Sequence, residues 1–207
     1  KDAQFSISGT DRSMPFLDAV ALAFEPGKLP PGMEPTLAEL ASYTPEVANY
    51  PNGCHIVEVE ITPETGQIAL ARYSVVDDCG FELNPLLVKG QVHGGIAQGV
   101  GQALMENMVY DRDSGQLLSG SFMDYSMPRA GGLCNYDVGA HPVLTKTNPF
   151  GVKGVGEAGT VGALAAVMNA INNALAPLGI EHFEMPATPD RVWKAIEAAK
   201  ERIRSNQ

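Results

Sequence analysis

The chain has 207 residues, with 14 Lys plus Arg against 24 Asp plus Glu and a formal net charge of −10. That length is ample for a hydrophobic core in one large or two small domains, and the acidic balance argues against general binding to nucleic acid, whose phosphates it repels. The three cysteines, Cys54, Cys79 and Cys134, form no CxxC pair, which excludes a full disulfide framework and a four-cysteine zinc or iron–sulfur site within these residues.

The first residue is Lys1 rather than Met, so a piece of a longer protein is expected, and no signal peptide is read at the start. Residues 4–8 predict a short strand. A helix follows, with Ser13 as cap, Pro15 in the first turn and Phe16, Leu17, Val20, Ala21 and Phe24 on its apolar face. Pro26, Pro30, Pro31, Pro35, Pro45 and Pro51 make residues 26–53 an extended connector, with room for one helical turn at 37–42. Composition thus divides the chain into 1–53 and 54–207.

From His55 the period changes to two: Val57, Val59 and Ile61 alternate with Glu58 and Glu60, the pattern of a half-buried strand. Thr62-Pro-Glu-Thr-Gly66 is turn chemistry, and residues 68–77 read as the returning strand. Residues 108–110, 117–118, 121–125 and 136–144 are further strand candidates. Near the C-terminus, Thr160 is positioned to cap a helix over 161–175 that stops at Pro177. Thr188-Pro189-Asp190 opens another, with Val192, Trp193, Ile196, Ala199 and Ile203 on one face. Strands and helices mix without strict alternation, so the predicted class is α+β. No apolar run is read as reaching the ~20 residues of a membrane span.

Asn84-Pro85 starts a helix that contains Gly90, Gly94, Gly95, Gly99 and Gly101. At about 1 kcal/mol each relative to alanine, these glycines weaken the helix by roughly 4–5 kcal/mol. Spaced at ~100° per residue, Val92, Ile96, Val100, Ala103 and Leu104 form an apolar arc that includes His93. Gln91, Gln98 and Gln102 form a stripe flanked by glycine on both sides. Two readings stand: carboxamides and bare backbone facing a flat polar ligand, or close helix packing through glycine with solvated glutamines. His93 reads as a core residue.

A second cluster, Asn148-Pro-Phe-Gly-Val-Lys-Gly-Val-Gly-Glu-Ala-Gly159, contains Gly154-x-Gly156-x-x-Gly159. A nucleotide-binding GxGxxG needs a strand leading in and an acidic residue ending the next strand. Asn148 and Pro149 interrupt the lead-in, so a Rossmann unit is not predicted. Successive N–H groups in such a loop still make a cradle for an anion or polar ligand. Glu157 is its one ionisable side chain between Gly154 and Gly159, placed either as a general base or as a helix cap. On the residues alone, capping is the simpler reading.

Taken in order, Val-Asp-Asp-Cys-Gly80, Asn84-Pro85, Gly90-Gln-Val-His-Gly-Gly95, Ser121-Phe-Met-Asp-Tyr125, Gly151-Val-Lys-Gly-Val-Gly-Glu-Ala158 and Met185-Pro-Ala-Thr-Pro-Asp-Arg-Val-Trp193 carry a resemblance. They resemble the C-terminal part of the molybdenum-binding large subunit of the xanthine dehydrogenase family, which includes aldehyde oxidase-type and carbon monoxide dehydrogenase-type enzymes. The cysteine after the paired aspartates favours the last. The resemblance spans about residues 50 to 195.

It implies an α+β molybdenum-cofactor-binding domain and an oxidoreductase that hydroxylates or oxidises an aldehyde, an N-heterocycle or carbon monoxide with water as oxygen source. It implies a molybdenum–molybdopterin cofactor, usually a cytosine dinucleotide. Glu157 is then similar to the family's active-site base and Gln91 to a glutamine that contacts the pterin. Lys153, Gly154, Val155 and Gly156 match the loop beside the cofactor, and Cys79 and Asn84 the stretch expected to touch the dinucleotide. No residue is assigned as a metal ligand. [2Fe–2S] and FAD are expected on partner subunits, and the rest of the large subunit, absent here, is a further expected partner, so the chain alone is expected to be inactive. A cytoplasmic location is expected, with no nucleic-acid partner. Ala158 departs from the serine or proline of many relatives. The alternative is a non-catalytic scaffold or assembly module of the same fold. With no GxSxG or HExxH, a hydrolase has little support.

Overall fold

The computed structural model describes residues 3–205. Near the N-terminus a short antiparallel hairpin, β1 (Gln4–Ser6) and β2 (Ser13–Pro15), leads directly into α1 (Phe16–Ala23). Ser13 does not cap this helix, because it pairs with Ser6 in the hairpin; Pro15 takes the cap position and no side chain bonds to the open helix end. No residue of α1 is buried. Residues 37–42 form no helix: the Thr36 hydroxyl accepts from the Ala38 amide at 2.9 Å, a local bond that competes with helical pairing. Residues 1–44 form one compact unit and 45–207 a second. The division lies inside the proline-rich connector, ahead of residue 53.

In the second unit β3 (Asn52–Thr62) and β4 (Gln67–Asp78) form the expected hairpin, and β5 (Tyr136–Ala140) adds in parallel to β4, giving the order β3-β4-β5. Gly66 closes the turn with φ +70°, and the start of the last helix, at Pro189 and Trp193, packs directly on it. The register slips at Glu58/Val59, where Val57 pairs with Tyr73 but Val59 with Leu70. This bulge inserts one extra residue into β4 and reverses which of its side chains face the core. Leu70 is buried before it, and Tyr73, Val75 and Asp77 after it. Of the other strand candidates, Tyr110 and Leu117 make only an isolated bridge, and residues 121–125 form a turn.

Three helices complete the unit: α2 (Pro85–Leu104), α3 (Ala158–Leu175) and α4 (Pro189–Ser205). The apolar arc of α2 is buried as expected: Val92, Ile96, Val100, Ala103 and Leu104 join Val167, Ile171 and Leu175 of α3 and Val192, Ile196 and Ala199 of α4 in one core against Tyr73 and Val75. Trp193 and Ile203, expected on that face, lie outside the core and are 40% and 45% exposed. Thr160 is not the cap of α3 but lies in its first turn, where its hydroxyl donates to the Gly95 carbonyl of α2 at 3.0 Å. One expectation is corrected: Ala158–Leu178 is long and apolar enough to span a membrane by length and composition. Here its apolar face packs into the core formed with α2 and the sheet.

Four of the five glycines of α2 divide into two kinds, while Gly101 packs on Glu106 and Pro128. Gly95 and Gly99 lie against Gly159, Thr160 and Ala163 of α3, and a β-carbon at Gly159 would collide with the backbone of Val92, Gly95 and Ile96. For these positions close packing is the correct reading, since bare backbone lets the helix axes approach. Gly90 and Gly94 have nothing within 4 Å of a would-be β-carbon. Gly159→Val is therefore expected to lower stability by at least about 3 kcal/mol, whereas Gly94→Ala raises it by about 0.5–1 kcal/mol, both read from urea unfolding midpoints.

Candidate functional site

The second glycine cluster is held by a buried carboxylate. Asp78, at the end of β4, accepts from the amides of Gly80 and Val143, each at 2.9 Å, and from Lys153 Nζ at 2.5 Å. The Asp78 and Lys153 side chains are 7% and 13% exposed. Burial on its own raises the carboxyl, but the bonds from Lys153, Val143 and Gly80 outweigh it and hold its pKa down at about 2. Around this pair the backbone is stitched together. Lys153 N donates to Cys79 O at 2.8 Å, Phe81 N to Gly151 O at 3.0 Å, and the Asn148 side chain bonds both the amide and the carbonyl of Val152. Gly80 and Gly151 both take positive φ, and a β-carbon at Gly80 would strike the Gly151 carbonyl.

This loop delivers Gly154, Gly156 and Glu157 to the surface. Glu157 occupies the N-cap position of α3, but its side chain makes no capping bond, so the capping role is not realised. It is exposed and borders a cavity of about 170 Å³ with Asn52, Gly53, His55, Asp77 and Val161. The positive end of α3 favours a carboxylate there. Across the gap to α2, a methyl in place of the Gly156 hydrogen would lie 3.5 Å from Gln91 Nε2. Both glycine clusters thus meet at one place: exposed Gln91 beside exposed Gly156, next to Glu157 and close to the open backbone of Gly90 and Gly94.

The other candidate residues serve the scaffold in this structure. Lys153 is committed to Asp78. Val155 is half-buried against the core. Asn84 caps α2, its side chain accepting from the Leu87 amide at 3.3 Å. Cys79 is buried, and burial, with the nearby Glu82 and Asp78 carboxylates, pushes its thiol up. Gln98 and Gln102 are exposed. His93 is half-buried edge-on to Tyr136, ring centroids 5.3 Å apart.

Sequence reasoning passed over His55, Asp77 and the structural role of Asp78. His55 stands apart from the other histidines in the chain, and only the paired Asp77-Asp78 marked this stretch. Because Asp78 titrates below its ordinary 3.8, its contribution is complete above that value and is lost as pH falls from about 3.8 towards 2. Asp78→Asn is expected to cost about 2–4 kcal/mol at pH 7 and to flatten the acid limb of the stability curve. Urea unfolding between pH 2 and 7 measures both.

Comparison with known proteins identifies the family. A sequence profile for the molybdopterin cofactor-binding domain matches residues 1–133. The chain is 36% identical over 199 residues to the nicotine 6-hydroxylase large subunit of Paenarthrobacter nicotinovorans, covering 95% of this chain and 24% of that protein. It is 33% identical over 195 residues to the carbon monoxide dehydrogenase large chain of Hydrogenophaga pseudoflava, covering 94% of this chain and 24% of the relative. Its fold matches the reconstituted CO dehydrogenase from Oligotropha carboxidovorans with TM-score 0.85 and 30% identity, over 97% of this chain and 25% of that one. The chain thus spans about a quarter of the length of the curated relatives it matches. The ordered motifs, the paired glycine clusters and these matches lead to one assignment: the chain belongs to the molybdopterin cofactor-binding domain family of molybdenum oxidoreductase large subunits.

Proposed function

We propose that this chain is the cofactor-facing, base-supplying part of a molybdenum hydroxylase, acting on a small aldehyde, N-heterocycle or carbon monoxide with water as oxygen source. The observation that carries this reading is the position of Glu157, a carboxylate outside any capping bond at the mouth of a cavity, beside bare backbone and a carboxamide. The names of the relatives, a nicotine hydroxylase and a carbon monoxide dehydrogenase, support the N-heterocycle and carbon monoxide classes.

The residues present fit a large flat cofactor. Gly90 and Gly94 leave the α2 backbone open, so a planar group can approach it closely. Gln91 offers a donor at Nε2 and an acceptor at Oε1, and Gly154 and Gly156 expose the loop backbone. These five residues would hold the group from this chain. A molybdenum–pterin cofactor, in its cytosine dinucleotide form, would supply a two-electron acceptor there. Glu157 takes up a proton at its carboxylate oxygen, and the Asp78–Lys153 pair keeps the loop that carries it in place. Lys153 acts through this positioning and Cys79 through its backbone carbonyl. [2Fe–2S] and FAD on partner subunits would serve as the electron acceptors, and the remainder of the large subunit would complete the pocket.

In the complete enzyme, Glu157→Gln is expected to lower turnover by about 10²–10⁴-fold while molybdenum content, measured by elemental analysis, is retained. Near-normal turnover would instead support a scaffold role. The isolated chain is expected to bind the cofactor poorly, and stoichiometric molybdenum on the purified chain would overturn that expectation.

A further inference from the structure

Behind Glu157 lies a buried set of polar groups that the reading above does not use. His55 and Asp77 side chains are 6% and 7% exposed, with His55 Nε2 3.4 Å from Asp77 Oδ1. His55 Nδ1 lies 2.7 Å from the Tyr73 hydroxyl. Burial, then the neighbouring Tyr136, raises the pKa of Tyr73, which therefore keeps its proton. The acceptor-only carboxylate of Asp77 in front of Nε2 assigns that nitrogen a proton, and Nδ1 then accepts from the Tyr73 hydroxyl. Asp77 Oδ2 is buried with no hydrogen-bond partner among the described residues, and an ionised oxygen left in that state is unfavourable.

Asp77 also occupies a particular place. It lines the Glu157 cavity together with His55, and it lines a second cavity of about 200 Å³ with Cys79, Glu82, Lys89 and Val138. It is the one residue common to the two. The Glu157 cavity, at about 170 Å³, has room for several waters of ~30 Å³ each.

We propose that His55 and Asp77 form a proton relay in the wall between these cavities, drawing off the proton that Glu157 collects and releasing it through the second cavity. The inference rests on the reading of Glu157 as base. In the forward step the Glu157 carboxyl loses its O–H proton to cavity water, and the His55–Asp77 pair gains one. Asp77 takes that proton on Oδ2, its oxygen without a partner, while the His55 Nε2–H faces Oδ1 and Tyr73 keeps donating to Nδ1. On release the pair returns to carboxylate and neutral imidazole, and the proton passes to solvent by way of Glu82. No electrons move. The titratable groups beside the imidazole are Tyr73 and Asp77 on β4, and Glu157, at the N-cap of α3, lines the same cavity. Tyr136 and Cys134 lie behind Tyr73, and Cys79, Glu82 and Lys89 line the far cavity.

The test is an NMR titration of the His55 ring nitrogens in the 207-residue chain labelled with ¹⁵N-histidine. Removing the cavity carboxylate with Glu157→Gln is expected to lower the His55 protonation midpoint by about half a pH unit or more, because that charge favours the imidazolium. Glu157 is exposed, so this variant does not disturb the core. Glu64→Gln, in the hairpin turn, changes net charge equally and is expected to leave the midpoint in place. A His55 midpoint indifferent to Glu157→Gln, or equally sensitive to Glu64→Gln, overturns the relay. Either result leaves the role of Glu157 as base to be decided separately by turnover of the complete enzyme.

Discussion

The contact on which the site depends is the approach of two helices through glycine. Gly95 and Gly99 on α2 and Gly159 on α3 leave no room for side chains between them, and Thr160 ties the pair by bonding to the Gly95 carbonyl. Because Gly159 follows Glu157 by only two residues, this approach also fixes where the first turn of α3 presents its carboxylate. It sets Gly156 beside Gln91 and brings Gly162 onto the His55 ring. The helical propensity that α2 gives up in its glycines is recovered partly as packing and partly as an open strip at Gly90 and Gly94. The same residue type therefore serves opposite purposes on two faces of one helix.

Two adjacent aspartates show how finely backbone geometry assigns chemistry. The bulge in β4 turns Asp77 to the face that carries Tyr73 and Val75, where it meets His55. Asp78, one residue on at the last position of the strand, gathers three donors from two loops. One carboxylate is fully satisfied and strongly acidic. Its neighbour keeps an orphan oxygen beside the candidate catalytic cavity. Satisfied buried carboxylates hold structure, and unsatisfied ones invite a proton or a ligand.

Much of this was legible locally. Alternation located the β3–β4 hairpin, Asn84-Pro85 located the start of α2 with its cap, and the apolar arc of α2 proved to be the core face. The bulge was not legible, because the apolar pattern around Leu70 and Tyr73 contains no signal for one extra residue. Nor were the caps of α1 and α3: Ser13 and Thr160 are ordinary capping residues that a hairpin and a neighbouring helix claimed instead.

The sequence by itself determined the family, through ordered motifs of unusual glycine content, and the residue types at the site: a carboxylate in a glycine loop and glutamines on a glycine helix. Only the tertiary structure decided which glycines are packing and which are open. It also decided that Lys153 holds Asp78, and that Glu157 shares a cavity with His55 and Asp77. The reason is range. Periodicity and capping are read over a few residues, whereas His55 and Glu157 meet only after a sheet, a bulge and two close-packed helices have folded together.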